Sequence, residues 1–143
     1  MEEKEDPLPG TSPSDTHKSG LDILVVDDDR LVLNVVSEIV SAVGHHPHTA
    51  TDGDAALEAM SAHHFDLVIS DIRMPGMDGF QLAARVRVEY PDTYLVLMTG
   101  FSSDSTFREA MKLDVDAYLS KPFKSVELIR VLDKIVEENS LAE

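Results

Sequence analysis

The stretch DLVISDIRMPGMDG, residues 66–79, decides the fold. Leu67, Val68 and Ile69 are consecutive and apolar, which suits a strand covered on both faces. The run then meets a carboxylate, Asp71, followed by Pro75-Gly76 and a second acid, Asp78. Pro-Gly marks a turn, and an acid just ahead of a helical pattern suits a helix cap. A buried strand therefore delivers Asp71 to the place where the chain leaves the core.

The same pattern recurs along the chain. ILVV (23–26) runs into Asp27, Asp28 and Asp29; YLVLM (94–98) runs into Thr99 and Gly100; DAYLS (116–120) runs into Lys121 and Pro122. HPHTA (46–50) reads as a short polar edge strand. Between these runs the period is helical. Val32, Val36, Ile39 and Val43 form one stripe, with Gly44 as its stop and Asp29 as its cap. DAALEAMSA (54–62), FQLAARVRVEY (80–90), STFREAMKL (105–113) and SVELIRVLDKIVEE (125–138) follow, the last with a stripe of Leu128, Leu132, Ile135 and Val136. Five alternations of strand and helix predict an α/β domain: a parallel five-stranded sheet with helices on both faces. Right-handed crossovers make 2-1-3-4-5 the natural strand order.

Composition narrows the function classes. The chain has 143 residues, enough for one domain, and 43% hydrophobic content, enough for a core. With 27 acids against 12 bases the formal net charge is −15, which argues against direct nucleic-acid binding and favours cations or basic partners. The absence of Cys excludes a disulfide scaffold and a thiolate metal site. No apolar run reaches the roughly 18 residues of a membrane span, and the acidic start MEEKEDPLPG does not resemble a signal peptide. A cytoplasmic location is expected. Residues 1–20 are rich in Pro, Ser, Thr, Gly and charge, so they are expected to form a flexible tail ahead of a folded domain over 21–143.

In an open parallel sheet, ligands bind beyond the carboxyl ends of the strands. Neighbouring strands lie about 4.8 Å apart, so Asp27 or Asp28 comes close to Asp71. Carboxylates that near repel one another and recruit a cation. Mg²⁺ suits the oxygen donors and leaves room for phosphate. Lys121 adds a second positive charge and Thr99 a hydroxyl. A carboxylate in that setting can act as nucleophile on a phosphoryl group.

The segments ILVVDDD, DLVISDIRMPGMDG, VLMTG and AYLSKPF closely resemble the receiver domain of two-component response regulators, from about Leu21 to about Glu138. The resemblance implies a flavodoxin-like three-layer sandwich and an Mg²⁺-dependent phospho-acceptor rather than an enzyme. It implies Asp71 as phosphoacceptor, and Asp27 and Asp28 as the acid pair for Mg²⁺, with Asp28 the more direct ligand. The backbone carbonyl of Arg73 matches the third protein ligand. Thr99 matches the switch hydroxyl, Tyr118 the switch aromatic and Lys121 the phosphate-binding lysine, with a cis bond to Pro122. Implied partners are a sensor histidine kinase or a histidine phosphotransfer protein, and a second copy through the last helix-strand-helix face. Arg73 and Phe101 occupy two variable positions that tune the lifetime of the phosphoryl group. A bulky Phe101 would shield it, with slow self-dephosphorylation as the expectation.

Other readings fare less well. A haloacid-dehalogenase-type phosphatase needs Thr or Val where DDDRL carries Leu31. Histidine metal ligands are suggested by GHHPH (44–48) and His63-His64, but surface histidines are the better reading. A pseudo-receiver docking module would normally lack an acid, the acceptor or the lysine. A stand-alone regulator is favoured over a receiver cut from a longer chain with an output domain.

Overall fold

The computed structural model describes residues 20–142, so the tail expected over 1–20 lies outside the described residues except for Gly20. In chain order the elements are β1 (Asp22–Val26), α1 (Arg30–Ala42), β2 (His46–Ala50), α2 (Gly53–Ala62), β3 (Leu67–Asp71), α3 (Gly79–Glu89), β4 (Tyr94–Thr99), α4 (Asp104–Lys112), β5 (Ala117–Ser120) and α5 (Ser125–Ala142). All five strands are parallel, in the order β2-β1-β3-β4-β5. This is the expected 2-1-3-4-5 flavodoxin-like arrangement.

The sheet is buried because its side chains alternate between two apolar layers. Leu24, Val26, Val68, Leu95 and Leu97 face α2 and α3, packing on Ala56, Met60, Leu82 and Val86. Ile23, Val25, Leu67, Ile69, Val96 and Met98 face α1 and α5, packing on Leu33, Val36, Leu128 and Leu132. β2 is the polar edge, with only Ala50 fully buried.

Two details depart from the sequence reading. The buried stripe of α1 is Leu33, Val36 and Val40, with Val32 and Ile39 at its margins and Val43 exposed. This helix is apolar on several sides, so periodicity alone admits more than one stripe, and packing against β1 and α5 selects one. In addition, α5 runs four residues past Glu138, to Ala142.

Caps follow local chemistry. Asp29 accepts from the Leu31 N–H at the start of α1. Asp78 and Gln81 form a reciprocal capping box at α3. Gly44 takes a φ of +94°, which suits glycine at a helix end. The Lys121–Pro122 peptide is cis, as expected.

The amino edge of the sheet is closed by Arg87 in the last turn of α3. Its guanidinium donates to the carbonyls of Thr93 at 2.9 Å, Asp114 at 2.7 Å and Leu113 at 3.3 Å, and to Asp116 Oδ2 at 3.2 Å. Asp116 Oδ2 also accepts from the Leu95 N–H. Asp114 has a φ of +57°, unusual for a non-glycine residue, and its carbonyl meets Arg87 there. Arg87→Met keeps the stem but removes every donor. It is expected to lower stability by about 2 kcal/mol in urea denaturation; a loss below about 0.5 kcal/mol, the range of ordinary surface changes, would refute this role.

Candidate functional site

β1 and β3 are neighbours in register, Val26 opposite Ser70, so both deliver acids to the same edge. Carboxylate oxygens of Asp27, Asp28 and Asp71 lie within 4.8 Å of one another. Among the described residues this is the one group of three or more potential ligands. Asp27 is almost fully buried: its Oδ1 accepts from the Asp29 N–H at 2.9 Å, and its Oδ2 from Lys121 Nζ at 2.8 Å. Asp28 is exposed. Asp71 ends β3 and is buried, one residue further into the strand than its sequence suggested.

Lys121 reaches this edge from the end of β5. Its ammonium also lies 3.1 Å from Asp71 Oδ1, so it bridges two of the three acids. One lysine does not neutralise three carboxylates. Burial, and then the charge of Asp27, push the Asp71 carboxyl above its usual range, while Lys121 pulls it partly back. Burial works against the Lys121 ammonium, yet the hydrogen bond to Asp27 and the charge of Asp71 outweigh it and hold its pKa above the usual value. The negative charge of Asp27 and Asp28, which adds to the effect of burial on Asp71, also attracts a cation. The donors are hard carboxylate oxygens, one of them solvent-facing. They fit a small hard ion such as Mg²⁺, which takes one or two carboxylates and keeps its waters.

The loop after β3 is held by short backbone contacts. The Ile72 N–H donates to Met98 O at 3.0 Å, and the Gly79 N–H donates to Ile72 O at 2.7 Å. Ser70 Oγ donates to Asp71 O at 2.9 Å. A Cβ on Gly79 would stand 2.3 Å from the Asp71 carbonyl oxygen, so this position needs glycine for close approach. Gly76 differs: its φ of +74° is what its turn requires.

Thr99 ends β4, 1% exposed, and its hydroxyl oxygen accepts from the Phe101 N–H at 3.0 Å. Tyr118, in β5, is half-buried. Its hydroxyl is 2.9 Å from Ser102 Oγ, and the Phe107 ring meets it edge-on at 5.4 Å. Ser102 and Phe107 were not singled out from the sequence; an ordinary Ser and an apolar helix residue carry no local signal for this contact. Arg73 and Phe101 are both exposed, yet they pair: the guanidinium carbon lies 4.5 Å from the Phe101 ring centroid.

The histidines have separate fates. His45 is buried, not a surface residue as expected; its Nδ1 accepts from the Leu21 N–H at 2.9 Å, and burial lowers its pKa. His64 Nε2 lies 3.3 Å from Asp66. His48 and His63 stack loosely, with centroids 6.3 Å apart, each edge-on to Phe65.

No helix among the described residues is long and apolar enough to cross a membrane. The family model for the response regulator receiver domain matches residues 23–133. The chain is 37% identical over 107 residues to the response regulator protein FleR of Pseudomonas aeruginosa, a match covering 75% of this chain and 23% of FleR. It is 30% identical over 116 residues to the transcriptional regulatory protein FixJ of Bradyrhizobium diazoefficiens, covering 81% of this chain and 57% of FixJ. It thus spans less than two thirds of these relatives. Among solved structures, the chemotaxis protein CheY4 of Vibrio cholerae superposes with a TM-score of 0.77 at 30% identity, over 82% of this chain and 99% of CheY4. The receiver domain of an HD domain-containing protein from Pseudomonas fluorescens superposes with a TM-score of 0.79 at 32% identity, over 83% of this chain and 96% of that one. Acids, threonine and lysine gathered at one edge of this sheet, in a sequence that fits the model over most of its length, make the chain a member of the response regulator receiver domain family.

Proposed function

We propose that Asp71 accepts a phosphoryl group from the phosphohistidine of a sensor histidine kinase or histidine phosphotransfer protein, and that the phosphorylated form switches the surface of α4, β5 and α5. The observation that carries this reading is the cluster itself. Asp71 is a buried carboxylate at a strand end, 3.1 Å from a lysine ammonium and beside two further acids.

In the transfer, the N–P bond to histidine breaks and an O–P bond to an Asp71 oxygen forms. Lys121 already holds Asp71 Oδ1 and carries the charge to meet a phosphoryl oxygen. Asp27 has both oxygens engaged, so it fixes Lys121, and exposed Asp28 is the freer ligand. Asp27, Asp28, Asp71 and the Arg73 carbonyl would hold Mg²⁺. The ion, when bound, neutralises charge on the transferring oxygens.

Thr99 Oγ1 accepts one hydrogen bond from Phe101, so its own proton is available for a phosphoryl oxygen. Movement of Thr99 toward that oxygen vacates space beside β5. Tyr118 then exchanges its contacts with Ser102 and Phe107 for an inward position. Two packings are populated, and the new charge biases one of them. Phe107 and Met111 on α4 stay partly exposed, so this face suits a target protein or a second copy. The formal charge of −15 disfavours direct binding to nucleic acid by this chain and suits a cytoplasmic protein partner.

Incubation with Mg²⁺ and acetyl phosphate is expected to give a single phosphoryl adduct by intact mass, lost in Asp71→Ala. No adduct with several donors and a genuine cognate kinase would refute the reading. Asp28→Asn relieves charge repulsion and is expected to stabilise the metal-free chain by about 0.5 kcal/mol, while removing most of the added stability that Mg²⁺ confers. An equal response of both proteins to Mg²⁺ in urea denaturation would exclude Asp28 as a ligand. Phe101 and Arg73 would cover the acyl phosphate and slow its hydrolysis. A cation–π pair of this kind is worth about 0.5–1 kcal/mol, so Phe101→Ala should speed phosphoryl loss about two- to fivefold. Unchanged hydrolysis would show that the stack gives no shelter.

A further inference from the structure

The loop that joins β3 to α3 carries Arg73, and something must hold its outer half in place. Its neck is closed by the Ile72 and Gly79 hydrogen bonds, and Met74 is buried in the core. Beyond Met74 the chain passes through exposed Pro75 and Gly76 before reaching Met77. Met77 packs against the layer formed by α2 and α3.

Met77 rests on Gly53, the first residue of α2. A Cβ on Gly53 would stand 2.7 Å from Met77 Sδ and 2.9 Å from both its Cβ and Cγ. The Gly53 backbone is helical and the residue is buried. Its own conformation therefore does not demand glycine, and helix propensity would favour alanine there. What demands glycine is the methionine lying across it. Gly53 cannot simply retreat, because Asp52 caps α2 with a 2.7 Å hydrogen bond from the Ala55 N–H. The clash includes Met77 Cβ, which moves only with the backbone of the loop.

We infer that the contact between Met77 and Gly53 seats the loop over residues 72–78, and that Gly53 is a positioning residue for the acceptor site. The part of this inference that concerns reactivity rests on the proposed phospho-acceptor role; the part that concerns loop position does not. A residue on α2, remote in sequence from Asp71, then sets where the Arg73 carbonyl stands. Mutating the outer groups that orient metal ligands commonly costs about 10- to 100-fold in affinity or activity.

The test compares Gly53→Ala, Met77→Ala and the double variant by backbone-amide NMR, Mg²⁺ titration, acetyl phosphate labelling and urea denaturation. Gly53→Ala is expected to shift the amides of residues 72–76 and to lower Mg²⁺ affinity and labelling rate on the order of tenfold. In the double variant Met77→Ala removes Sδ and Cγ from the clash but keeps Cβ and forfeits the seat, so it should fall short of the wild-type chain in both, while the two changes combine less than additively because they act on one contact. If Gly53→Ala does not fold, Met77→Ala alone still carries the test, because losing the seat should move the same amides. Unmoved loop amides, or a fall in stability with unchanged Mg²⁺ affinity and labelling, would overturn the inference and leave the contact as core packing. If the loop moves but the wild-type chain takes no phosphoryl group, the positional inference stands and the phospho-acceptor reading fails.

Discussion

A parallel sheet must be covered on both faces, and in this chain that constraint governs the rest. Strands β1, β3 and β4 spend their side chains on two apolar layers, one beneath α2 and α3 and one beneath α1 and α5. Polar chemistry is confined to the strand ends, where the backbone leaves the layers. Parallel direction then brings the carboxyl ends of β1, β3, β4 and β5 to one edge. The acids, Thr99 and Lys121 meet because each stands at or just past the carboxyl end of its strand and the strands run parallel.

That edge is electrostatically unfinished. Lys121 bridges Asp27 and Asp71 but cannot balance Asp28 as well. Removing like charge would favour the fold; keeping it favours a bound cation. Such conflict between stability and site chemistry is common at functional positions. The opposite edge shows the contrast. There Arg87 is fully matched by three carbonyls and Asp116, and the contacts are those of a closure.

Much of this was legible in the residues. The apolar runs at 23–26, 67–69 and 94–98 are short, continuous and rich in Val and Ile, as buried strands are, and their order with the intervening helices leaves few topologies. Asp27, Asp28, Asp71 and Thr99 stand at the ends of those runs and Lys121 at the end of 116–120, so reading the strands also locates the candidate site. Other features were not legible. In α1, apolar residues surround the axis, and the burial of Leu33 and Val40 rather than Val43 depends on what α5 and β1 present to it. His45 looks like its neighbours in sequence, but the Leu21 N–H reaches its ring only because β1 lies alongside.

Sequence by itself determined the period of each segment, the caps at Asp29 and Asp78, and which residue types stand at the strand ends, because these depend on near neighbours. Tertiary structure alone decided the partners. It stacks Arg73 on Phe101, joins Tyr118 to Ser102 and Phe107, and lays Met77 across Gly53. Each of these contacts links separate elements or loops. Their distances follow from strand order and helix packing, and no local pattern of residues carries that information.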